Sequence, residues 1–300
     1  LPREAVCWSD VLSSKGYSLG YIGKWHLDAP HEPYVDCMNN QGQDKWNECC
    51  PPERRHGFEY WYAYGTYDMH LRPMYWDGDA DREAFHYVDQ WGPEHEADQA
   101  IRYLRNDAGQ RDPDNPFALV VSMNPPHTPY DQVPERYQAM YADLDIEETV
   151  CRRPHVPPGG SRWGDYYRKH IRNQYAMITG VDEQFGRILH TLEEEGLAEN
   201  TLVVFASDHG DCLGMHNQVS KANPYEESMC VPFMMRWPGQ LAPGRDDVLF
   251  SAPDIYPSLL DLLGFGRDVP PEVEGVSFAD RFRGGSSDSG PRSQLYLHIP

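Results

Sequence analysis

The chain has 300 residues, of which 40% are hydrophobic and 12% aromatic, so it is long enough and apolar enough to build a packed core. Its 47 acidic residues outnumber its 26 basic residues. The resulting formal net charge of -21 argues against a nucleic acid or an anionic membrane surface as the partner. No run of about 18 apolar residues occurs, so the sequence predicts no transmembrane segment.

The seven cysteines form no CxxC pair and show no spacing typical of a zinc site. Their odd number leaves the redox compartment and any disulfide pairing open. The chain begins at Leu1 rather than at a methionine, and no signal peptide is recognisable. We therefore expect a longer natural chain and assign neither a compartment nor an oligomeric state.

Helix and strand patterns alternate from the start of the chain. CWSDVLSSKG predicts a short helix that ends at Gly16, and the stretch after it predicts a strand that ends at Gly23 and Lys24. Residues 28–92 are rich in aromatic, proline, cysteine and acidic residues and have no clear period. They predict an irregular insertion that shapes a pocket and contains one strand, at FEYWYAYG.

The same order of helix and strand recurs further along. PEHEADQAIRYLRN predicts a helix, and PFALVVSMN is an apolar run typical of a strand buried on both sides. Apolar residues between Tyr175 and Leu192 predict a long amphipathic helix that ends at Gly196, before the strand TLVVFASD. VPFMMRWPG predicts another strand, and DIYPSLLDLLG a helix that ends at Gly264. This alternation indicates an α/β fold with a mainly parallel central sheet and helices on both faces.

Reactive side chains follow several of these predicted strands. Because ligands in open α/β sheets collect beyond the carboxyl ends of the strands, we expect these side chains to gather at one edge of the sheet. Lysines, imidazoles and a carboxylate at that edge suit a metal ion together with an anionic tetrahedral group. The candidates are Lys24, His26, His127, Asp208, His209 and Lys221.

Each candidate also has an ordinary structural explanation. A lysine at a strand end is usually a solvated charge, and a histidine between prolines, such as His127, can bond to nearby backbone. Asp208 can cap the turn that follows it. The residue types and their spacing by themselves indicate a metal or anion site at the sheet edge and nothing finer.

Longer motifs resemble the type I sulfatases of the alkaline phosphatase superfamily. GYSLGYIGKWH is similar to the family's second signature, and NPPHTPY to its substrate histidine loop. SDHGDCLGMHNQVSK, followed by PYEESMCVPFMMRWPG, resembles its metal-binding stretch and lysine loop, and APDIYPSLLDLLG its late helix. The resemblance implies that residues 1–300 form an alkaline-phosphatase-like sulfatase domain that is incomplete at both ends. At the C-terminal end, SQLYLHIP resembles the start of the strand that leads into the family's small C-terminal subdomain.

The resemblance implies a role for each lysine and histidine on the substrate side. Lys221 and His127 would hold the sulfate oxygens, while Lys24 and His26 would lie against the nucleophile. Either His127 or His26 would protonate the leaving alcohol. These roles agree with elementary electrostatics, because a cation and ammonium groups aimed at the sulfate oxygens lower the barrier where negative charge accumulates.

The resemblance also implies a divalent cation and a modified cysteine. Asp208 and His209 would bind the cation, most often calcium, whose preference for oxygen ligands suits Asp208 better than His209. The family's nucleophile is a formylglycine made from a Cys-x-Pro-x-Arg motif, which we expect upstream of Leu1 together with a pair of metal-binding aspartates. The stretch CPPER, Cys50–Arg54, fits the short motif, but it follows the second signature and leads into no amphipathic helix. We interpret it as a loop cysteine.

Three hypotheses about function follow from these motifs. The first is a sulfuric ester hydrolase acting on a sulfated small molecule or glycan, and family membership would suit a periplasmic, secreted or lysosomal-type location. The second is a phosphodiesterase or phosphonate monoester hydrolase of the same superfamily, since the same metal and lysines suit phosphoryl groups. The third is a non-catalytic remnant that binds sulfated glycans or serves as a scaffold. Several tryptophans could line a sugar platform, although aromatic residues in such domains more often lie in the core; these are Trp25, Trp46, Trp61, Trp76 and Trp91.

Overall fold

The computed structural model describes residues 2–285, so the strand expected at SQLYLHIP lies outside the described residues. The helices are α1 (Trp8–Ser14), α2 (Gly92–Arg105), α3 (Glu135–Ala139), α4 (Ile146–Thr149), α5 (Arg162–Glu194), α6 (Glu226–Met229), α7 (Ala252–Leu262) and α8 (Ala279–Phe282). The strands are β1 (Ser18–Lys24), β2 (Tyr60–Tyr64), β3 (Met74–Asp77), β4 (His86–Tyr87), β5 (Phe117–Ser122), β6 (Val203–Ala206) and β7 (Phe233–Arg236). Among residues 2–285, none of the helices combines the length and the apolarity that crossing a membrane requires.

The chain divides into two compact units. The first unit comprises residues 2–195 together with Leu213–Asn217, and the second comprises residues 196–212 and the described residues from 218 onward. The first unit contains α1 to α5 and β1 to β5, whereas the second contains β6, β7 and α6 to α8.

The sheet of the first unit has the strand order β4-β3-β2-β1-β5. β1 pairs in parallel with both β2 and β5, whereas β3 and β4 run antiparallel to their neighbours. The expected α/β fold is present, but the sheet is parallel only in part. Residues 28–92 account for the difference: besides β2, they hold β3 and β4, two short strands whose antiparallel pairing the sequence analysis did not predict.

β1 has a helix on each of its faces, as the sequence analysis predicted. Successive side chains of a strand point to opposite faces of the sheet. On one face, a Cβ added at Gly20 would lie 3.0 Å from the Tyr103 ring in α2. On the other, a Cβ added at Gly57 would lie 3.2 Å from the Leu19 side chain and 2.9 Å from that of Ser13 in α1. This packing on both faces fixes the strand whose last residue is Lys24.

The long helix α5 packs against α2 in the first unit. α5 begins at the position that Ser161 caps, where the Ser161 hydroxyl accepts a hydrogen bond from the Gly164 amide at 3.1 Å. The helix is longer than its apolar pattern indicated, because the pattern covers only its second half.

β5 is half-buried rather than buried on both sides, since it forms the edge of its sheet and has β1 as its neighbour there.

Buried polar side chains organise the irregular backbone within residues 28–92. Glu48 is almost fully buried, and its carboxylate accepts hydrogen bonds from Arg82 at 2.5 and 2.7 Å and from the His31 amide at 3.1 Å. Arg82 also donates to the carbonyls of His31 and Pro33. An ion pair that satisfies this many groups holds the irregular backbone in one arrangement.

The second unit is built around an antiparallel pair of strands and a cluster of phenylalanine rings. β6 pairs with β7 from Val203 opposite Arg236 to Ala206 opposite Phe233. The expected parallel order is wrong here, because the connection carries only a 3-10 turn and the four-residue α6 instead of the crossover helix that parallel strands usually need. The rings of the cluster are Phe233, Phe250, Phe278 and Phe282.

α7 has clear start and stop signals in the sequence. Ser251 and Asp254 form a reciprocal capping box at its N-terminus, in which the Asp254 carboxylate accepts from the Ser251 amide at 3.0 Å. Gly264 follows the helix with φ of +86°, a left-handed conformation that favours glycine. The predicted helix and its predicted end are both confirmed.

Candidate active site

Lys24 and His26 lie directly at the end of β1, as predicted. The Lys24 ammonium donates a hydrogen bond to Oδ1 of Asn124 at 3.0 Å. The backbone beyond it stays parallel to β2, because the Trp25 amide donates to the Tyr64 carbonyl and the His26 amide to the Gly65 carbonyl. His26 itself has φ of +49°, so the chain turns sharply at this residue.

Asn124 joins Lys24 to the loop after β2, and the sequence analysis did not identify it. Its side-chain amide donates to the Tyr67 carbonyl at 3.0 Å and to Oδ1 of Asp68 at 3.1 Å. Asp68 is held from its other side by the Asn39 amide group at 2.9 Å. The position of Asn124 just after β5 was a usable signal, since polar residues at strand ends point into the site region.

His127 belongs to the same network. Its Nδ1 lies 3.5 Å from Oδ1 of Asp68 and donates to the Thr128 carbonyl at 2.8 Å. Beneath it, His70 donates from Nε2 to the His127 carbonyl at 3.0 Å. Burial lowers the pKa of His70 to about 4, so this ring is uncharged at neutral pH. Lys24 and His127 are therefore connected within the first unit through Asn124 and Asp68.

Asp208, His209 and Lys221 come together within the second unit. Nδ1 of His209 donates to the Gly210 carbonyl at 2.8 Å, which leaves Nε2 as an acceptor. The Lys221 ammonium lies 2.8 Å from Nε2 of His209, and Oδ2 of Asp208 lies 3.2 Å from the same Nε2. An imidazole lone pair and a carboxylate oxygen thus lie side by side, and an ammonium group lies next to the imidazole.

These donors fit part of a metal coordination shell but not a complete one. The imidazole nitrogen of His209 and the carboxylate oxygen of Asp208 can supply two ligands to a divalent cation. Calcium takes six to eight oxygen ligands, so most of its coordination shell would have to come from other groups. Within residues 2–285, Asp208 and His209 belong to no cluster of three or more Cys, His, Asp or Glu side chains whose ligand atoms all lie within 4.8 Å of one another.

The side chains of Cys7, Asp10 and His56 do form such a cluster, which the sequence analysis did not identify. Cys7 and Asp10 make a reciprocal capping box at the start of α1, in which the Asp10 carboxylate accepts from the Cys7 amide at 2.8 Å. The same carboxylate lies 2.9 Å from Nδ1 of His56. Helix capping and a hydrogen bond between His56 and Asp10 account for this arrangement.

The cysteine of CPPER is unsuited to nucleophilic chemistry. Cys50 is buried, and its thiol lies 3.8 Å from the Pro51 carbonyl. Burial and the neighbouring Asp28 raise the pKa of the Cys50 thiol far above its ordinary value. Because the reactive form of cysteine is the thiolate, this environment agrees with our interpretation of a loop cysteine.

Comparison with known proteins bears directly on these motifs. A protein-family model described as Sulfatase matches residues 1–265, which is most of the chain. The chain belongs to the sulfatase family.

Two sulfatases with assigned activities resemble the chain over nearly its whole length. It is 40% identical to the endo-4-O-sulfatase of Bacteroides thetaiotaomicron over 293 residues, which cover 94% of this chain and 55% of that protein. It is 32% identical to the ulvan-active sulfatase of Formosa agariphila over 304 residues, which cover 100% of this chain and 54% of that protein. The chain thus spans about half the length of these sulfatases.

Solved sulfatase structures have the same fold. A Bacteroides fragilis protein assigned as the sulfatase yidJ superposes with a TM-score of 0.92 at 53% identity, covering 95% of this chain and 61% of that one. A 4S-sulfatase structure from Bacteroides thetaiotaomicron gives a TM-score of 0.88 at 39% identity, covering 97% and 60%. The predicted alkaline-phosphatase-like α/β fold is confirmed.

Proposed function

We propose that this protein hydrolyses a sulfate ester on a carbohydrate. The observation that carries the proposal is the grouping of Asp208, His209 and Lys221 in a chain of the sulfatase family. The proposed substrate class follows the two sulfatases named above, one an endo-4-O-sulfatase and the other active on ulvan. The sequence motifs for both groups of candidate residues stand in the family's order.

In this proposal, the residues of the first unit act on the leaving alcohol and on the nucleophile. His127 binds a sulfate oxygen and is positioned by Asp68, whose carboxylate is 3.5 Å from Nδ1. Either His127 or His26 gives a proton to the departing oxygen, which avoids an unstable alkoxide. Lys24, kept in place by Asn124, supplies positive charge beside the nucleophile.

In the second unit, the proposed task is charge neutralisation. Lys221 holds a sulfate oxygen, while Asp208 and His209 supply two ligands for a divalent cation, which we propose to be calcium. A bound cation would withdraw charge from the sulfate oxygens as the S–O bond breaks. Formylglycine and a divalent metal are general features of this family, and the formylglycine remains expected upstream of Leu1.

Replacement of Lys221 tests this assignment. In the protein as naturally produced, Lys221→Ala should lower the rate of sulfate release from sulfated glycans by roughly 100-fold to 1,000-fold, as loss of one charge-stabilising donor does in other enzymes. Lys169→Ala is the matched control, because Lys169 is exposed on α5. Unchanged turnover in Lys221→Ala would refute the role of this lysine.

The same protein separates the alternative functions. A rate on an aryl phosphate diester that exceeds the rate on an aryl sulfate would favour the phosphodiesterase hypothesis. Binding of a sulfated glycan without release of sulfate, together with the absence of any aldehyde by intact mass and peptide mapping, would favour the non-catalytic hypothesis. Release of inorganic sulfate supports the proposal made here.

A further inference from the structure

The tryptophans considered for a sugar platform differ in their exposure to solvent. Trp25, Trp61, Trp76 and Trp91 are 7%, 2%, 1% and 2% exposed, so they belong to the core. Trp46 is 50% exposed. Among these five tryptophans, Trp46 therefore is the one whose indole is available to a ligand from solvent.

The backbone of Trp46 is held firmly even though its ring is displayed. Oδ1 of the buried Asn40 accepts hydrogen bonds from the amides of both Trp46 and Asn47 at 3.0 Å. The Asn40 side-chain amide donates to the carbonyls of Val35 and Asn47, both at 2.9 Å. This loop is therefore preorganised, and a ligand that contacts Trp46 does not have to order the backbone first.

The buried side-chain amide of Asn47 links the same loop to the residues that follow β2. Asn47 is fully buried, and its Oδ1 accepts from the Thr66 amide at 2.9 Å. The neighbouring Lys45 ammonium donates to the carbonyls of Asn40 and Gly42 at 2.8 and 2.6 Å, so this charge is turned toward its own loop. The loop thus presents the indole of Trp46 while satisfying its own polar groups internally.

The ring of Trp46 lies beside a residue of the proposed reaction. Its centroid is 6.4 Å from that of the His26 imidazole, with the two planes at 75° in an edge-on contact. Both residues belong to the first unit. A half-exposed indole therefore borders one of the residues assigned to the sulfate ester.

We propose that Trp46 is the stacking platform for the sugar ring that carries the sulfate ester. The inference rests on the proposed function and adds to it the residue that recognises the saccharide. The C–H groups on one face of a pyranose ring are apolar and slightly positive, and they complement the negative face of an indole. The flat indole makes this contact at little entropic cost, because its backbone is already fixed.

The test compares a ligand with a sugar ring and one without. Trp46→Ala should raise the KM for a sulfated monosaccharide roughly 10-fold, whereas kcat should change little. Inorganic sulfate has no ring, so its inhibition constant should stay the same in Trp46→Ala. Trp46→Phe keeps an aromatic face and should recover most of the lost affinity. Met140→Ala, which removes an exposed apolar side chain elsewhere in the first unit, is the control.

The outcomes distinguish this inference from the proposed function. If the wild-type protein releases sulfate from the saccharide and Trp46→Ala has the same KM, the stacking role is overturned alone. An equal loss of affinity for saccharide and for inorganic sulfate would also overturn it, because it would indicate general damage to the site. If the wild-type protein neither binds sulfate nor releases it, the proposed function fails and this inference fails with it.

Discussion

The ammonium group of Lys221 lies 2.8 Å from Nε2 of His209, and the Asp208 carboxylate lies 3.2 Å from the same nitrogen. The imidazole is oriented by its other nitrogen, which donates to the Gly210 carbonyl. A positive side chain and a negative one therefore meet at an acceptor whose direction is fixed. Removing either charge therefore changes the electrostatic environment of that acceptor.

Asp208 provides the first prediction. Asp208→Asn removes the negative charge of the proposed metal ligand, so we expect the dissociation constant for calcium to rise at least ~10-fold. Isothermal titration calorimetry with calcium on the protein as naturally produced measures this change, and Asp247→Asn, an exposed aspartate of the same unit, serves as the control. Equal calcium affinity in Asp208→Asn and wild type would contradict the assignment.

Asn124 provides the second prediction. Asn124→Ala leaves the Lys24 ammonium, the Tyr67 carbonyl and the Asp68 carboxylate without their shared partner. We expect a loss of roughly 1–3 kcal/mol in the free energy of unfolding, together with lower turnover. Denaturant titration and a sulfate-release assay measure the two effects, and Asn115→Ala removes an exposed asparagine for comparison. Wild-type turnover in Asn124→Ala would show that this network does not position Lys24.

Gly23 provides the third prediction, which concerns the strand end itself. Its φ is +99°, and a Cβ there would lie 2.3 Å from the carbonyl oxygen of Ser122 on the neighbouring strand. Gly23→Ala should therefore destabilise the protein by roughly 1–3 kcal/mol or more, because the clash is with backbone.

Gly186 offers the matched control for that substitution. It lies within α5, and a Cβ there would meet nothing within 4 Å. Gly186→Ala should stabilise the protein by about 0.5–1 kcal/mol, since alanine is the better helix former. Thermal denaturation of both variants checks the pair, and similar melting temperatures for the two would contradict the packing argument.

Glu96 provides the fourth prediction, on pH dependence. This glutamate is fully buried in α2, and Oε1 accepts from the hydroxyls of Tyr75 and Tyr64 at 3.1 and 3.4 Å. Burial raises the pKa of Glu96 to about 8, above its ordinary value of 4.5. The unfolded chain releases the proton from about pH 4.5 upward while the folded protein keeps it, so stability should fall as pH rises toward 8.

Glu96→Gln tests the sign of that effect. An amide cannot ionise, so the variant should be more stable than wild type at pH 8 by on the order of 4 kcal/mol and similar to it at pH 4.5. Urea denaturation at both pH values measures the difference. Glu83→Gln, at an exposed position of the same unit, should show no such pH dependence. A constant difference between Glu96→Gln and wild type across this range would contradict the argument.

The sequence was most informative where local pattern determines local structure. Apolar spacing was enough to predict β1 and α2, and Gly264 marked the end of α7. The motif around Asp208 anticipated a group that the structure brings within hydrogen-bonding distance. Asn124 and Asp68 were missed because they are 56 residues apart along the chain and meet only through the pairing of β1 with its two neighbours. The antiparallel pairing of β7 was missed for a similar reason, since residue types do not encode strand direction.

In the loop held by Asn40, the residues that fix the backbone are different from the residue whose side chain is exposed. The two buried asparagines at 40 and 47 fix the backbone at 46, and the side chain at 46 contributes none of those hydrogen bonds. Substitutions at position 46 should therefore be tolerated by the fold, much as residues of an antibody loop vary on a constant framework. Position 46 is accordingly a place where saccharide preference could diversify among related proteins, or be redesigned, without rebuilding the domain.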